Sequence, residues 1–338
     1  ELFTLVRGPA TGAARWRGLL VCAIDGTSMF VPNSAANAAA FGRQTGRPDA
    51  ESGYPMLRLL TVVACGTRTV IDAVFGSYGV GETTYAPNLL GCLKNDMLLL
   101  ADRNFAVTAL IEQVAAADAQ VLSRCKDGRV LPPIRRLGDH SWLARMGSVT
   151  VRVIDATIAV RLGTGTIRRG HYRLVTTLTD EKRYPADELV ELYHQRWEIE
   201  TSYLELKSTL GGGRVLRAAT PAGIAQEVYA LLVTYQALRT AIADTALAHP
   251  GTSPDRLSFT VALQAARDQV IHAAAAITDT TVDLVGRIGA AILGHLLPAR
   301  RSRSSPRVVK RAISKHRAKG DIDRTNHTTT ITIEILDG

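Results

Sequence analysis

Residues Leu19 to Ile24 form an unbroken apolar run with β-branched members, closed by Asp25-Gly26. Such a run, ended by a turn signal, predicts a strand buried on both faces with an aspartate at or near its carboxyl end. Residues 33–55 are small, polar and Gly-rich and predict loop. Two apolar runs at 57–64 and 69–75 flank Cys65-Gly66-Thr67-Arg68, which has the spacing and turn composition of a hairpin. "GETTYAPNLLGCL" predicts a helix that starts near Gly81 or Glu82, and Met97 to Ala101 form a further buried strand ending at Asp102.

The order is therefore strand, strand, strand, helix, strand. The first three pair antiparallel, and the fourth joins beside the first after a helical crossover. That is the opening topology of a ribonuclease H-like fold. It sets Asp25 and Asp102 side by side on adjacent central strands, although many α/β domains share the order.

Further along, residues 105–118 predict an amphipathic helix. Residues 120–179 alternate or run apolar between "KDGR", "PP", "LGD" and "GTGT", and read as a β-rich insertion. Pro185 opens a long helix with Asp187 and Glu188 in its first turn, and Gly211-Gly212-Gly213 stops it. Residues 221–247 and 255–297 are Ala/Leu-rich helices, and "TTTITIEIL" closes the chain as a short strand. The expected division is a first core part over 1–119, the insertion over 120–179, a second core part with C-terminal helices over 180–297, and a basic tail with a terminal strand over 298–338.

On a helical wheel at about 100° per residue, Tyr193, Arg196, Glu200 and Lys207 share a sector of roughly 60°. One narrow stripe thus carries a phenol, a guanidinium, a carboxylate and an ammonium. Leu189, Leu192, Ile199 and Leu206 fall on other faces and anchor the helix. By itself the stripe is equally a solvated surface with an Arg196–Glu200 pair at i,i+4, an interaction of only ~0.3–0.5 kcal/mol. Asp72 and Asp155 alternate with apolar neighbours and are expected to face solvent. Glu198 and Glu205 lie off the stripe as surface charges, with Glu205 a secondary contact.

Composition narrows the class. Hydrophobic residues make up 46% and charged residues 21% of 338 positions, as in ordinary globular proteins. No apolar run reaches the ~18–20 residues of a bilayer span. The N-terminal residues lack the pattern of a signal peptide, so a cytoplasmic location is expected. Cys22, Cys65, Cys92 and Cys125 are scattered and read as reduced core residues, and the eight histidines show no metal-ligand spacing. The formal charge of +9 favours a polyanion, nucleic acid first. Nine Lys/Arg and no acid occupy 300–320, either as a DNA-backbone contact or as a solubilising tail.

Taken together, the motifs resemble those of bacterial cut-and-paste DDE transposases of the insertion-sequence-4 family. The family's Tyr-x2-Arg-x3-Glu-x6-Lys helix is matched by Tyr193, Arg196, Glu200 and Lys207, its first Asp-Gly by "IDGTS", and its second aspartate by "DRNF". The resemblance covers nearly the whole chain. It implies a ribonuclease H-like mixed sheet flanked by helices, with a β-rich insertion and a helical C-terminal part. It further implies Asp25, Asp102 and Glu200 as catalytic ligands of two Mg²⁺ or Mn²⁺ ions. Tyr193, Arg196 and Lys207 become DNA contacts, and Trp142 in the insertion becomes either a stacking candidate for a flipped base or a half-buried aromatic of the sheet. The implied partners are duplex DNA with terminal inverted repeats, target DNA, and a second copy of the chain on DNA. The family carries a helical DNA-binding region before its first aspartate, whereas 24 residues precede Asp25. Two other readings therefore stay open, a truncated non-catalytic remnant that interferes with a full-length transposase and a stand-alone nuclease of the same fold.

Overall fold

Alternation within the first apolar run shows how the central sheet is covered. Leu19, Val21 and Ala23 belong to one buried cluster, and Leu20, Cys22 and Ile24 to another on the opposite face. A strand walled on both sides reads as a continuous apolar run, which is why no two-residue period was visible. The computed structural model describes residues 1–13, 15–43, 53–126, 128–161, 167–275, 284–298 and 330–337.

Helix α1 (Leu2–Val6) and a two-residue β1 (Arg15–Trp16) lead into β2 (Leu19–Phe30). Helix α2 (Ala35–Phe41) follows, capped by the Ser34 hydroxyl, which accepts the Asn37 N–H. The hairpin of β3 (Met56–Ala64) and β4 (Val70–Ser77) turns through residues 65–69. Helix α3 (Glu82–Tyr85) runs on as a 3-10 stretch, Ala86–Cys92, into β5 (Met97–Ala101). Helix α4 (Thr108–Ala116) then leads to β6 (Gln120–Arg124). These strands lie in the order β4-β3-β2-β5-β6. The pairs β2–β3 and β3–β4 are antiparallel, while β2–β5 and β5–β6 are parallel. This is the ribonuclease H-like order that the pattern predicted.

The β-rich segment continues this sheet. Its first strand, β6, is itself the fifth strand of the core. Then β7 (Arg135–Arg136), β8 (Trp142–Met146), β9 (Val149–Arg161) and β10 (Ile167–Thr176) extend the order as β6-β10-β9-β8-β7. The terminal strand β11 (Thr330–Ile335) pairs antiparallel with β9, opposite Ala156 to Arg161. The basic tract 300–320 lies outside the described residues.

One helical path carries the polar stripe, but it is not a single regular helix. Helix α5 (Ala186–Tyr193) passes through a 3-10 turn, His194–Arg196, into α6 (Trp197–Leu204) and ends in a π-helical turn, Glu205–Leu210. Leu189, Leu192, Ile199 and Leu206 are all buried, as the wheel required. Helix α7 (Pro221–Ala248) starts at Thr220, whose hydroxyl accepts the Gly223 N–H, and α8 (Phe259–Ala275) and α9 (Leu284–Leu293) complete the helical layer. Among the described residues no helix is long and apolar enough to cross a membrane.

Four acids differ from expectation. Asp72 and Asp155 are buried rather than solvent-facing. Arg7 pairs with Asp72, and Arg173, in register opposite Asp155, grips it through two bonds of 2.8 and 2.6 Å. Glu205 is buried and Glu198 nearly so, both held by Arg68. In each case a cation distant in sequence supplies the partner that lets a carboxylate leave water. Alternation along a single strand or helix cannot reveal that partner.

Candidate active site

The two aspartates meet where the sheet forks. β2 and β5 pair in parallel from Leu20–Met97 to Ile24–Ala101, and there β5 stops. Asp25 and Asp102 are the next residue on each strand. β2 runs on to Phe30 because β3 continues as its antiparallel partner, so Asp25 lies inside a strand and not at its end. The fork opens at the carboxyl end of β5, where open α/β sheets offer a binding crevice.

The stripe of the helix faces this fork. The Arg196 guanidinium, 6% exposed, reaches Asp25 (Nη1 to Oδ2, 3.2 Å) and Glu200 (Nη2 to Oε1, 3.3 Å). The Lys207 ammonium donates to the Thr27 hydroxyl on β2 at 3.0 Å. The Tyr193 hydroxyl is buried and donates to the carbonyl of Ala101 at 3.1 Å, bracing the strand end that bears Asp102. Tyr193, Arg196, Glu200 and Lys207 thus converge on the end of β5 and the adjoining middle of β2.

Trp142 is not part of this constellation. It is 4% exposed, its indole N–H donates to the Leu131 carbonyl at 2.9 Å, and the Arg173 guanidinium lies over its ring. The expectation of a stacking platform there is not met, because both the ring and its polar handle are already engaged in the sheet.

Electrostatics mark Asp25 as the strained member. Burial, the largest influence, pushes its carboxyl up to about 6, with Asp102 and Glu82 adding to the rise and Arg196 and the Gly26 N–H opposing it. Burial lowers the Lys207 ammonium and raises the Tyr193 phenol to about 12. Burial also opposes charge on Arg196, but Tyr193, Asp25 and Glu200 outweigh it and its pKa ends above the ordinary value.

A carboxyl whose pKa is raised in the folded protein contributes most when protonated. Stability is then lost as pH climbs from about 4 through 6, with a constant penalty above. Asp25→Asn removes that penalty. In urea unfolding without metal, the variant is expected to be more stable than the parent by about 1–3 kcal/mol near pH 8, and equal to it near pH 4. A variant less stable than the parent near pH 8 contradicts this account.

The donor chemistry suits a hard divalent cation. Asp25 and Glu200 already converge on one cationic group, the Arg196 guanidinium, and Asp102 leaves the neighbouring strand at the same level. Among the described residues, however, no three acidic, His or Cys groups stand close enough to form a finished metal cage. The carboxylates fit the ion by type, and two of them by convergence on Arg196.

Three neighbours escaped sequence reasoning. The Tyr203 hydroxyl donates to the Asp25 carbonyl at 2.5 Å and also meets the N–H and hydroxyl of Thr61, the register partner of Asp25. It ties the helix of Glu200 to the strand of Asp25. Glu82 approaches the same strand at Gly26, and Asn104 links it to the Asp102 loop. An aromatic three residues after Glu200 was a visible signal for Tyr203, but nothing local marked Glu82 or Asn104.

A family profile described as "Transposase DDE domain" matches residues 16–236. Transposase InsG of insertion sequence element IS4, from Escherichia coli K12, is 29% identical over 323 residues, which cover 89% of this chain and 70% of that protein. The putative transposase InsZ of the same organism is 27% identical over 90 residues, 27% of this chain and 30% of that one. A cryo-EM structure of a piggyBac transposase synaptic complex with hairpin DNA aligns at a TM-score of 0.45 with 12% identity, over 85% of this chain and 59% of that one. With the profile spanning well over half of its residues, the chain belongs to the DDE transposase family, in its insertion-sequence-4 type.

Proposed function

We propose that this chain cuts DNA at the ends of an insertion element and joins the freed ends to target DNA, with Asp25, Asp102 and Glu200 as its catalytic carboxylates. The observation that carries the proposal is the fork itself. Two aspartates leave adjacent parallel strands at one level, and Arg196 spans from the first of them to Glu200.

Two Mg²⁺ or Mn²⁺ ions held by these three carboxylates would stabilise charge on the attacking and leaving oxygens of the phosphodiester. The chain's own groups do the rest. A water oxygen attacks phosphorus and the 3′ oxygen leaves, freeing a 3′-hydroxyl. That hydroxyl then attacks a second phosphodiester and displaces its 3′ oxygen, so strand joining needs no outside energy source. Arg196 grips a phosphate with its planar fork and Lys207 adds a point charge, a reading supported by their contacts with Asp25 and Thr27 at the fork. Tyr193 holds the Ala101 strand end and belongs to the same contact surface. The partners are duplex DNA bearing the terminal inverted repeats and a target duplex, bound by a homodimer. The family resemblance and the formal charge of +9 support this.

The test is a cleavage and strand-transfer assay with Mg²⁺ or Mn²⁺ on DNA carrying the repeats that flank the gene, with Glu200→Ala as control. Joined product that disappears in the control is the expected result. Salt-sensitive binding without cleavage supports a non-catalytic remnant, and hydrolysis of any duplex without joining supports a plain nuclease.

A further inference from the structure

We propose that Glu82 is a positioning residue of this site, acting on Asp102 through Asn104 and reaching across the strand of Asp25 by way of the space at Gly26. The inference rests on the reading of Asp25, Asp102 and Glu200 given above.

Gly26 first reads as a turn residue, but β2 runs straight through it and Gly26 pairs with Leu60 in the middle of the β2–β3 ladder. Its φ is not among the positive ones, so backbone conformation does not demand glycine. Space does. A Cβ at Gly26 would lie 2.3 Å from Oε1 of Glu82 and 2.6 Å from its carboxyl carbon. Successive residues of a strand point to opposite faces. Asp25 therefore shares a face with Val21 and Ala23, under the helix of Glu200, and Gly26 shares the other with Cys22 and Ile24. Glu82 closes on the strand from that other face, directly behind the fork.

The carboxylate has a partner on each side of β2. Arg58 of β3 lies 3.2 Å from Oε1, and the Asn104 side-chain amide donates to Oε2 at 3.0 Å. Asn104 also donates its backbone N–H to Oδ1 of Asp102 at 2.7 Å. The chain of contacts is thus Arg58, Glu82, Asn104, Asp102, crossing β2 at the one residue without a side chain. Asp102 follows the last residue of β5 and has no ladder of its own. The Ser123 hydroxyl of β6 holds its backbone carbonyl at 3.1 Å, while the Glu82–Asn104 contact bears on its carboxylate. Partners that orient a ligating carboxylate typically change metal affinity or activity by about 10–100-fold when removed.

The experiment uses the full chain and two readouts, Mn²⁺ affinity by calorimetry without DNA, and the rate and half-saturating Mn²⁺ of cleavage. Glu82→Ala and Asn104→Ala are each expected to weaken Mn²⁺ binding by about tenfold or more and to raise the metal needed for cleavage. The double variant should be no worse than either alone, since both break one chain of contacts. Gly26→Ala should reproduce the loss by displacing Glu82. Glu82→Gln keeps an acceptor for Asn104 and should recover most of the affinity. Asn104 is exposed, so its variant still reports if Glu82→Ala fails to fold. Unchanged metal affinity in Asn104→Ala overturns the proposal. So do additive losses in the double variant, and a Glu82→Gln as damaged as Glu82→Ala, which would make Glu82 a source of charge instead of position. A parent chain that binds no Mn²⁺, or binds it equally in Asp25→Asn, overturns the reading of the site itself. Intact binding in the parent that is lost in Asp25→Asn but kept in Asn104→Ala overturns only the role of Glu82.

Discussion

Glu200→Gln is expected to lower DNA cleavage by about 100- to 1000-fold, the range seen when one preorganised electrostatic group is removed from an active site. The fold should barely register the change. Glu200 is a third exposed and makes a single ion pair, with Arg196 four residues earlier. Such pairs contribute roughly 0.3–0.5 kcal/mol, and the Gln amide keeps the shape. Glu198 is the matched comparison. It sits on the same helix two residues earlier, with a less exposed side chain bonded to Nε of Arg68. Glu198→Gln should therefore appear mainly in the unfolding midpoint and Glu200→Gln mainly in turnover. Measuring cleavage rate and urea midpoint for both variants separates the two roles. Equal turnover losses at Glu198 and Glu200 would return the stripe to an ordinary charged helix face.

Arg68→Ala is expected to destabilise the protein by about 3–5 kcal/mol, the usual cost of leaving buried carboxylates without their cation. Arg68 closes the β3–β4 turn at a φ of 60° and is 7% exposed. It faces Glu198 and Asp255 through short contacts and Glu205 at 3.3 Å. Burial works against its charge, yet Glu198 and Glu205 outweigh burial and its pKa ends above the ordinary value. Glu205 also accepts from Arg239 at 3.0 Å and Tyr235 at 3.2 Å, so α7 enters the same cluster. Losing Arg68 removes one of the two cations on Glu205, at the start of the π-helical turn that presents Lys207. Urea unfolding gives the energy, and amide exchange over residues 197–210 should rise more than over β2. Arg68→Lys restores charge without the fork and should recover only part of the loss. A shift under 1 kcal/mol in Arg68→Ala would mean that the carboxylates find water or other cations.

Much of the site was legible because its parts end or interrupt regular patterns. Asp25 and Asp102 each close an apolar run, and the order of elements placed those runs side by side. The stripe from Tyr193 to Lys207 survived although the path includes a 3-10 turn and a π-helical turn, since both ends are still drawn to the fork by Ala101 and Thr27. Trp142 misled because a basic, β-rich setting looks open in sequence, while Arg173 and Leu131 close it in space. Glu205 misled because its cations, Arg68 and Arg239, lie 137 and 34 residues away.

The sequence by itself determined the strand–strand–strand–helix–strand order, the two strand-associated aspartates and the helix that carries Arg196 and Glu200. These follow from hydrophobic period, turn chemistry and spacing, which act between near neighbours along the chain. Only the tertiary structure decided that β2 runs on past Asp25, because that depends on β3 pairing with it. It alone decided that the insertion extends the core sheet instead of forming a separate body. It alone seated Glu82 in the space left by Gly26 and buried Glu205 among Arg68, Tyr235 and Arg239. Strand pairing, close approach and the neutralisation of buried charge all join residues far apart in the chain, and no local pattern of residue types records which two will meet.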